Sequence, residues 1–244
     1  MMSFTTEQRF IVTGASSGIG ACTALLLNEL GATVIAIARR ESALIENRNM
    51  ASQPDNFIVA PYDLVGDLDA LSGFVKGLCA RYGKLSGMAY CAGTMPAIPL
   101  RAIDADKMKE VFDINFFAPV MMMRAVADKR NNIGSGTSCV FVSSASSILS
   151  DKGHGVYGAS KAALNAAMRS FAKELAPGGI RVNCILPTNI QTAQTTQEYI
   201  DSQIAQYPMG FGKPVDVAHL VAFLLSSESR WITAQNYVLD CASF

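Results

Sequence analysis

The chain has 244 residues, half of them apolar and 16% charged, with 20 basic and 20 acidic side chains. That balance suits a well-buried globular core and excludes a disordered chain. A formal net charge of zero offers no basic surface to nucleic acid. No uncharged apolar stretch reaches the ~20 residues of a membrane helix. The opening residues lack the basic and apolar segments of a secretory signal. The cysteines, Cys22, Cys79, Cys91, Cys139, Cys184 and Cys241, form no C-x-x-C pair and no Cys/His cluster. Free thiols in a reducing cytoplasm are expected, with neither metal nor disulfides. The only two histidines, His154 and His219, disfavour zinc and Ser-His-Asp chemistry.

Short apolar runs alternate with longer amphipathic stretches along the chain. The runs Arg9–Thr13, Thr33–Ala38, Phe57–Pro61, 87–91, 138–143, 180–186 and 237–240 read as strands. Between them, 19–30, 68–82, 107–129, 157–176 and 214–226 carry helical periodicity. Gly31, Gly83 and the Pro177-Gly178-Gly179 turn punctuate helix ends. Strands so continuously apolar predict a parallel sheet covered on both faces, hence a doubly wound, Rossmann-like α/β fold. No linker or composition break interrupts 1–244, which reads as a single domain.

The first strand runs into Thr13-Gly14-Ala15-Ser16-Ser17-Gly18-Ile19-Gly20, which opens a helix. Gly14 permits the sharp turn, Gly18 lets backbone approach a pyrophosphate, and Gly20 permits close helix–strand packing. A tight turn alone could explain such glycines, but strand before and helix after point to dinucleotide binding. NAD binders usually carry an acid at the end of the second strand. Here that strand ends in Ala38 and runs into Arg39-Arg40. A 2′-phosphate needs cations, so Arg39, helped by Ser16 or Ser17, predicts NADP(H). The alternative is a solvated arginine pair.

Tyr157 and Lys161 stand four residues apart on a predicted helix and share a face. A free phenol, with a pKa of about 10, is a poor base at neutral pH, and a nearby cation lowers that value. The pair is a candidate proton-transfer device.

With the glycine-rich turn and Tyr157-x-x-x-Lys161 in place, the chain resembles the short-chain dehydrogenase/reductase family over almost its whole length. Asp63-Leu64 resembles the family's adenine-contacting pair. Cys91-Ala92-Gly93 resembles its Asn-Ala-Gly motif, with Cys in place of Asn. Asn115 stands like its active-site asparagine. Ser144 lies thirteen residues before Tyr157, as the catalytic serine does; Ser143 is a less favoured substitute. Pro187-Thr188-Asn189-Ile190-Gln191-Thr192 resembles its Pro-Gly-x-Ile-x-Thr segment around the nicotinamide.

The resemblance implies an oxidoreductase moving a hydride between NADP(H) and a carbonyl or secondary alcohol. Tyr157 is the implied general acid or base. Lys161 lowers its pKa and holds the ribose, Ser144 polarises the substrate oxygen, and Asn115 holds a relay water. Pro187, Ile190 and Thr192 are implied at the cofactor. Three departures stand out: Cys91, Thr188 where glycine crowds the nicotinamide less, and Cys241-Ala242 where relatives carry two glycines. Segments 94–100, 145–154 and 189–209 are expected over the substrate; Gln191, Gln194, Thr195, Thr196, Gln197, Tyr199, Tyr207 and Met209 leave its identity open. A 3-oxoacyl thioester, a sugar and another metabolite are all compatible. His154 reads as a structural or solvated residue outside the catalytic set, and Met121-Met122-Met123 as core or interface. A homodimer or homotetramer through 107–129 and 157–176 is also implied. The alternatives are a non-catalytic NADP(H)-binding sensor or assembly partner, and an epimerase or dehydratase.

Overall fold

A computed structural model describes residues 2–192 and 195–243. Seven strands, β1 (Arg9–Thr13), β2 (Thr33–Ala38), β3 (Phe57–Pro61), β4 (Gly87–Tyr90), β5 (Ser138–Val142), β6 (Arg181–Pro187) and β7 (Asn236–Leu239), form one sheet. Their order is β3-β2-β1-β4-β5-β6-β7, and every neighbouring pair is parallel. The order reverses direction between β1 and β4, so the connections leaving these strands part there and open a crevice at their carboxyl ends.

Helices cover both faces: α1 (Gly18–Glu29), α2 (Glu41–Met50), α3 (Leu71–Tyr82), α4 (Ala105–Phe112), α5 (Ala118–Ala127), α6 (Gly155–Leu175), α7 (Gln197–Gln203) and α8 (Pro214–Leu225). Alternate strand residues feed opposite cores. Ile11, Ile35 and Ile37 pack with residues of α3, α5 and α6. Phe10, Val12, Val34 and Ala36 pack with residues of α1, α2 and α8. Both faces are apolar, which is why these strands read as continuous runs and not as alternation.

Two helices carry no clear signal in the sequence. In α2 only Leu44 and Asn47 are buried, too narrow a stripe to show periodicity. In α7, within the segment read as a loop, no residue is buried.

The helix expected over 107–129 is broken. Asp113–Phe117 forms a π turn between α4 and α5, and the Ala118 N–H donates to the Asp113 carbonyl five residues back. Pro119 gives the reason: it has no N–H to offer the Asn115 carbonyl four residues back. The Tyr90 hydroxyl, reaching from β4, donates to the neighbouring Ile114 carbonyl at 3.0 Å. Turns of this kind often sit at functional sites.

Candidate active site

The crevice holds two joined lobes. The first, about 720 Å³, is lined by Gly14, Ser16, Ser17, Ile19 and Gly20, by Arg39 and Arg40, by Asp63 and Leu64, and by Cys91, Ala92 and Gly93. The second, about 900 Å³, is lined by Ser143, Ser144, His154, Tyr157 and Lys161, by Pro187, Thr188, Asn189 and Ile190, and by Tyr199 and Phe211. Ile19, Cys91, Gly93, Thr94 and Thr192 line both lobes.

The first lobe is built from backbone. Gly14 and Gly18 take φ of 67° and 55°, where a side chain is strained. A Cβ on Gly14 would come within 2.9 Å of the Ala92 nitrogen, and one on Gly20 would collide with the Gly14 carbonyl. A Cβ on Gly18 would meet only Thr192 Cγ2, in ordinary contact at 3.8 Å. The α1 N-terminus has no acidic residue in its first turn. Unshielded N–H groups beside a cleared backbone fit a pyrophosphate.

Two side chains hold this cradle. Thr13 Oγ1 accepts from the Cys91 and Ala92 N–H groups at 3.0 and 3.2 Å. Asn47, buried on α2, donates to the Ala15 carbonyl at 2.7 Å. The sequence gives no hint of Asn47, because the helix that carries it is itself unsignalled. At the rim, Arg39 and Arg40 are both exposed. It is Arg40, not Arg39, that reaches Ser16, with an N–O distance of 3.4 Å.

In the second lobe α6 presents Tyr157 and Lys161 one turn apart, both buried. The Ser144 hydroxyl lies beside the Tyr157 phenol. Ser143 instead donates to the Lys161 carbonyl at 3.3 Å, so geometry separates the two serines. Ser144 is held in turn. Ser147 donates to its carbonyl at 2.6 Å, and Asn165 on α6 donates to Ser147 Oγ at 2.7 Å.

Lys161 Nζ donates to the Val142 carbonyl at 2.9 Å and lies 6.0 Å from the Tyr157 ring centroid. Burial pushes its pKa down from 10.5 to about 8. Burial also pushes the Tyr157 phenol up, and the Ser144 hydrogen bond offsets this only in part. Desolvation is the dominant influence on the phenol and outweighs the lowering expected from Lys161.

Asn115 is fully buried in the π turn. Its amide donates to the Thr94 carbonyl at 2.9 Å and to Ser160 Oγ at 3.1 Å, and its oxygen accepts from the Thr94 N–H at 3.1 Å. It thus clamps the turn after β4 onto α6. A Cβ on Gly93 would come within 2.9 Å of Asn115 Oδ1 and 3.4 Å of Lys161 Nζ.

The departures have local answers. The Thr188 hydroxyl turns to the Leu239 carbonyl on β7 at 3.4 Å, while the residue still lines the second lobe. Cys241 and Ala242 adopt left-handed backbone, φ 49° and 61°, where the family glycines would be unstrained. Burial pushes the Cys91 thiol up to about 12. Over the second lobe, Tyr199 donates to Asn189 Oδ1 at 3.1 Å and packs edge-on to Phe211, as Tyr207 does. Gln194 lies outside the described residues.

A doubly wound parallel sheet with a glycine cradle at its switch point defines a dinucleotide-binding α/β protein. Residues 14–241 match the sequence profile of a family described as enoyl-(acyl carrier protein) reductase. The chain is 32% identical to a 3-oxoacyl-(acyl-carrier-protein) reductase of Thermotoga maritima, over 94% of this chain and 95% of that one. It is 30% identical to an L-xylulose reductase of Caenorhabditis elegans, over 96% and 95%. A dehydrogenase/reductase from Sinorhizobium meliloti 1021 superposes with a TM-score of 0.90 at 27% identity, over 99% and 96% of the two chains. A short chain dehydrogenase from Burkholderia cenocepacia J2315, solved in complex with NADP, gives 0.87 at 27% identity, over 97% of each. The chain belongs to the short-chain dehydrogenase/reductase family, oxidoreductases that work with a nicotinamide cofactor.

Proposed function

We propose that this single-domain chain is an NADP(H)-dependent reductase of carbonyl groups, or oxidant of the matching alcohols, with Tyr157 as general acid/base. The observation that carries the reading is the meeting of Tyr157, Ser144 and Lys161 in a lobe continuous with the glycine cradle. The cofactor, when bound, supplies or accepts the hydride. Gly14, Gly18, Gly20 and the α1 N-terminus would hold its pyrophosphate. Asp63 and Leu64 would meet the adenine, and Arg40, Arg39 and Ser16 a 2′-phosphate.

The chain's own residues then manage the proton. Tyr157, its phenol held protonated by burial, donates to the substrate oxygen in the reducing direction. Ser144 donates a hydrogen bond to the same oxygen. Lys161 holds the cofactor ribose and reprotonates Tyr157. The Asn115 carbonyl, to which Pro119 can offer no N–H, is the place for a water leading from Lys161 outward. Relatives named as 3-oxoacyl-(acyl-carrier-protein) and L-xylulose reductases make an oxo-thioester or a sugar ketone the first substrates to try. Exposed Met108 and Phe117, on α4 and the π turn, support self-association through these helices. Six free thiols suit a reducing cytoplasm.

Tyr157→Phe tests the mechanism. It should remove the proton donor and lower turnover by roughly 10²-fold or more, while fluorescence titration shows NADPH still bound. Turnover like that of the parent enzyme would overturn the assignment.

A further inference from the structure

His154 precedes Tyr157 by three residues, at the N-terminal boundary of α6. Its half-buried ring lines the second lobe and meets the Tyr157 ring edge-on, with centroids 6.2 Å apart and planes at 68°. Among the described residues its ring makes no hydrogen bond. The lobe's other walls include Met95, Pro96 and Phe211, and no carboxylate is among its described lining residues. The imidazole is thus engaged by no protein acceptor and opens onto the same space as the proton-transfer phenol.

In the open lobe water can serve this donor, and a substrate that displaces the water must bring an acceptor of its own or lose that hydrogen bond. A carbonyl oxygen on Tyr157 and a second oxygen on His154 must each sit about 3 Å from their donors. With the rings side by side, a few covalent bonds span the two oxygens. A substrate ammonium finds no counter-charge in this lobe, and a simple hydrocarbon ketone leaves the imidazole unsatisfied.

We propose that His154 is a specificity-determining residue that donates a hydrogen bond to a second acceptor oxygen, of carboxylate, ester or thioester type, two or three bonds from the reacting carbonyl carbon. The proposal rests on the Tyr157 reading above. It selects among ketones by their neighbouring group and assigns His154 no part in proton transfer.

The test compares matched ketones with NADPH: 2-hexanone, which lacks a second oxygen, and ethyl 2-oxohexanoate and ethyl 3-oxohexanoate, which carry one. His154→Phe keeps a ring edge against Tyr157 and removes the N–H; His154→Gln restores a donor. In His154→Phe, kcat/KM for the oxo-esters should fall roughly 10- to 100-fold, chiefly through KM, while 2-hexanone is reduced as before. His154→Gln should recover most of the loss. An equal loss on all three ketones, or no loss on the oxo-esters, would overturn the proposal; NADPH titration and thermal melts show whether the variants are folded. If the parent protein reduces neither oxo-ester, the proposal fails, while the oxidoreductase reading is judged separately by Tyr157→Phe. If the parent reduces 2-hexanone and only the selective loss is missing, the reading stands and His154 alone is misassigned.

Discussion

At Lys161 chemistry and stability pull in opposite directions. The ammonium is buried, its pKa is pushed down to about 8, and in the unfolded chain it returns to its ordinary 10.5. Between those values the unfolded state binds the extra proton, so this group's contribution rises with pH by up to about 1.4 kcal/mol per unit. The stability it lends is fully present above the unfolded value and is lost as pH falls through about 8. Below that both states are charged, and the folded one keeps a desolvated cation. Lys161→Met should therefore be more stable than the parent at pH 7, with the gap closing towards pH 10 in urea titrations. Cys91 and Cys184 feel the Lys161 charge, but burial pushes both thiols up to about 12, so in the folded state they stay protonated across this window in either protein. A gap that stays flat across the window would contradict the burial argument. Such a variant should be stable and inactive, the trade expected where a site holds an unfavourable charge for its chemistry.

Between helix and strand, the π turn is the element that shapes the site. It aims Asn115 into the seam between the turn after β4 and α6, and Tyr90 answers the Ile114 carbonyl. Tyr90→Phe leaves that part-buried carbonyl without its donor. Urea denaturation should show a loss of about 1–3 kcal/mol, and an unchanged midpoint would show that the turn stands without this bond. This turn marks where sequence reading stops. The strands were legible because both sheet faces demand apolar residues, and α6 because its long stripe is unmistakable. The meeting of Tyr157, Lys161 and the glycine turn in one crevice was legible because two motifs sit at fixed spacing on regular elements. Pro119 was in plain view inside the predicted 107–129 helix, and its missing N–H foretells a disturbed turn. Asn47 and α7 were not legible, since neither belongs to a periodic apolar pattern. Nor was the phenol's upward shift, which depends on burial by residues remote in sequence.

Across the whole molecule, α4, α5 and α6 lie together and leave Met108 and Phe117 open to solvent. Sedimentation should show a species of two or four chains, and only a 26.0 kDa species would refute this. The order of the sheet also has a consequence for how the protein comes into being. β1, the first strand to leave the ribosome, ends between β2 and β4, and the sheet then grows outward to β7. Its glycine cradle faces Thr192, which follows the sixth strand and is made most of a chain length later. A nascent or truncated chain ending before β6 has the cradle but not its opposite wall. A ligand that needs both walls is therefore held only by a chain extended past Thr192.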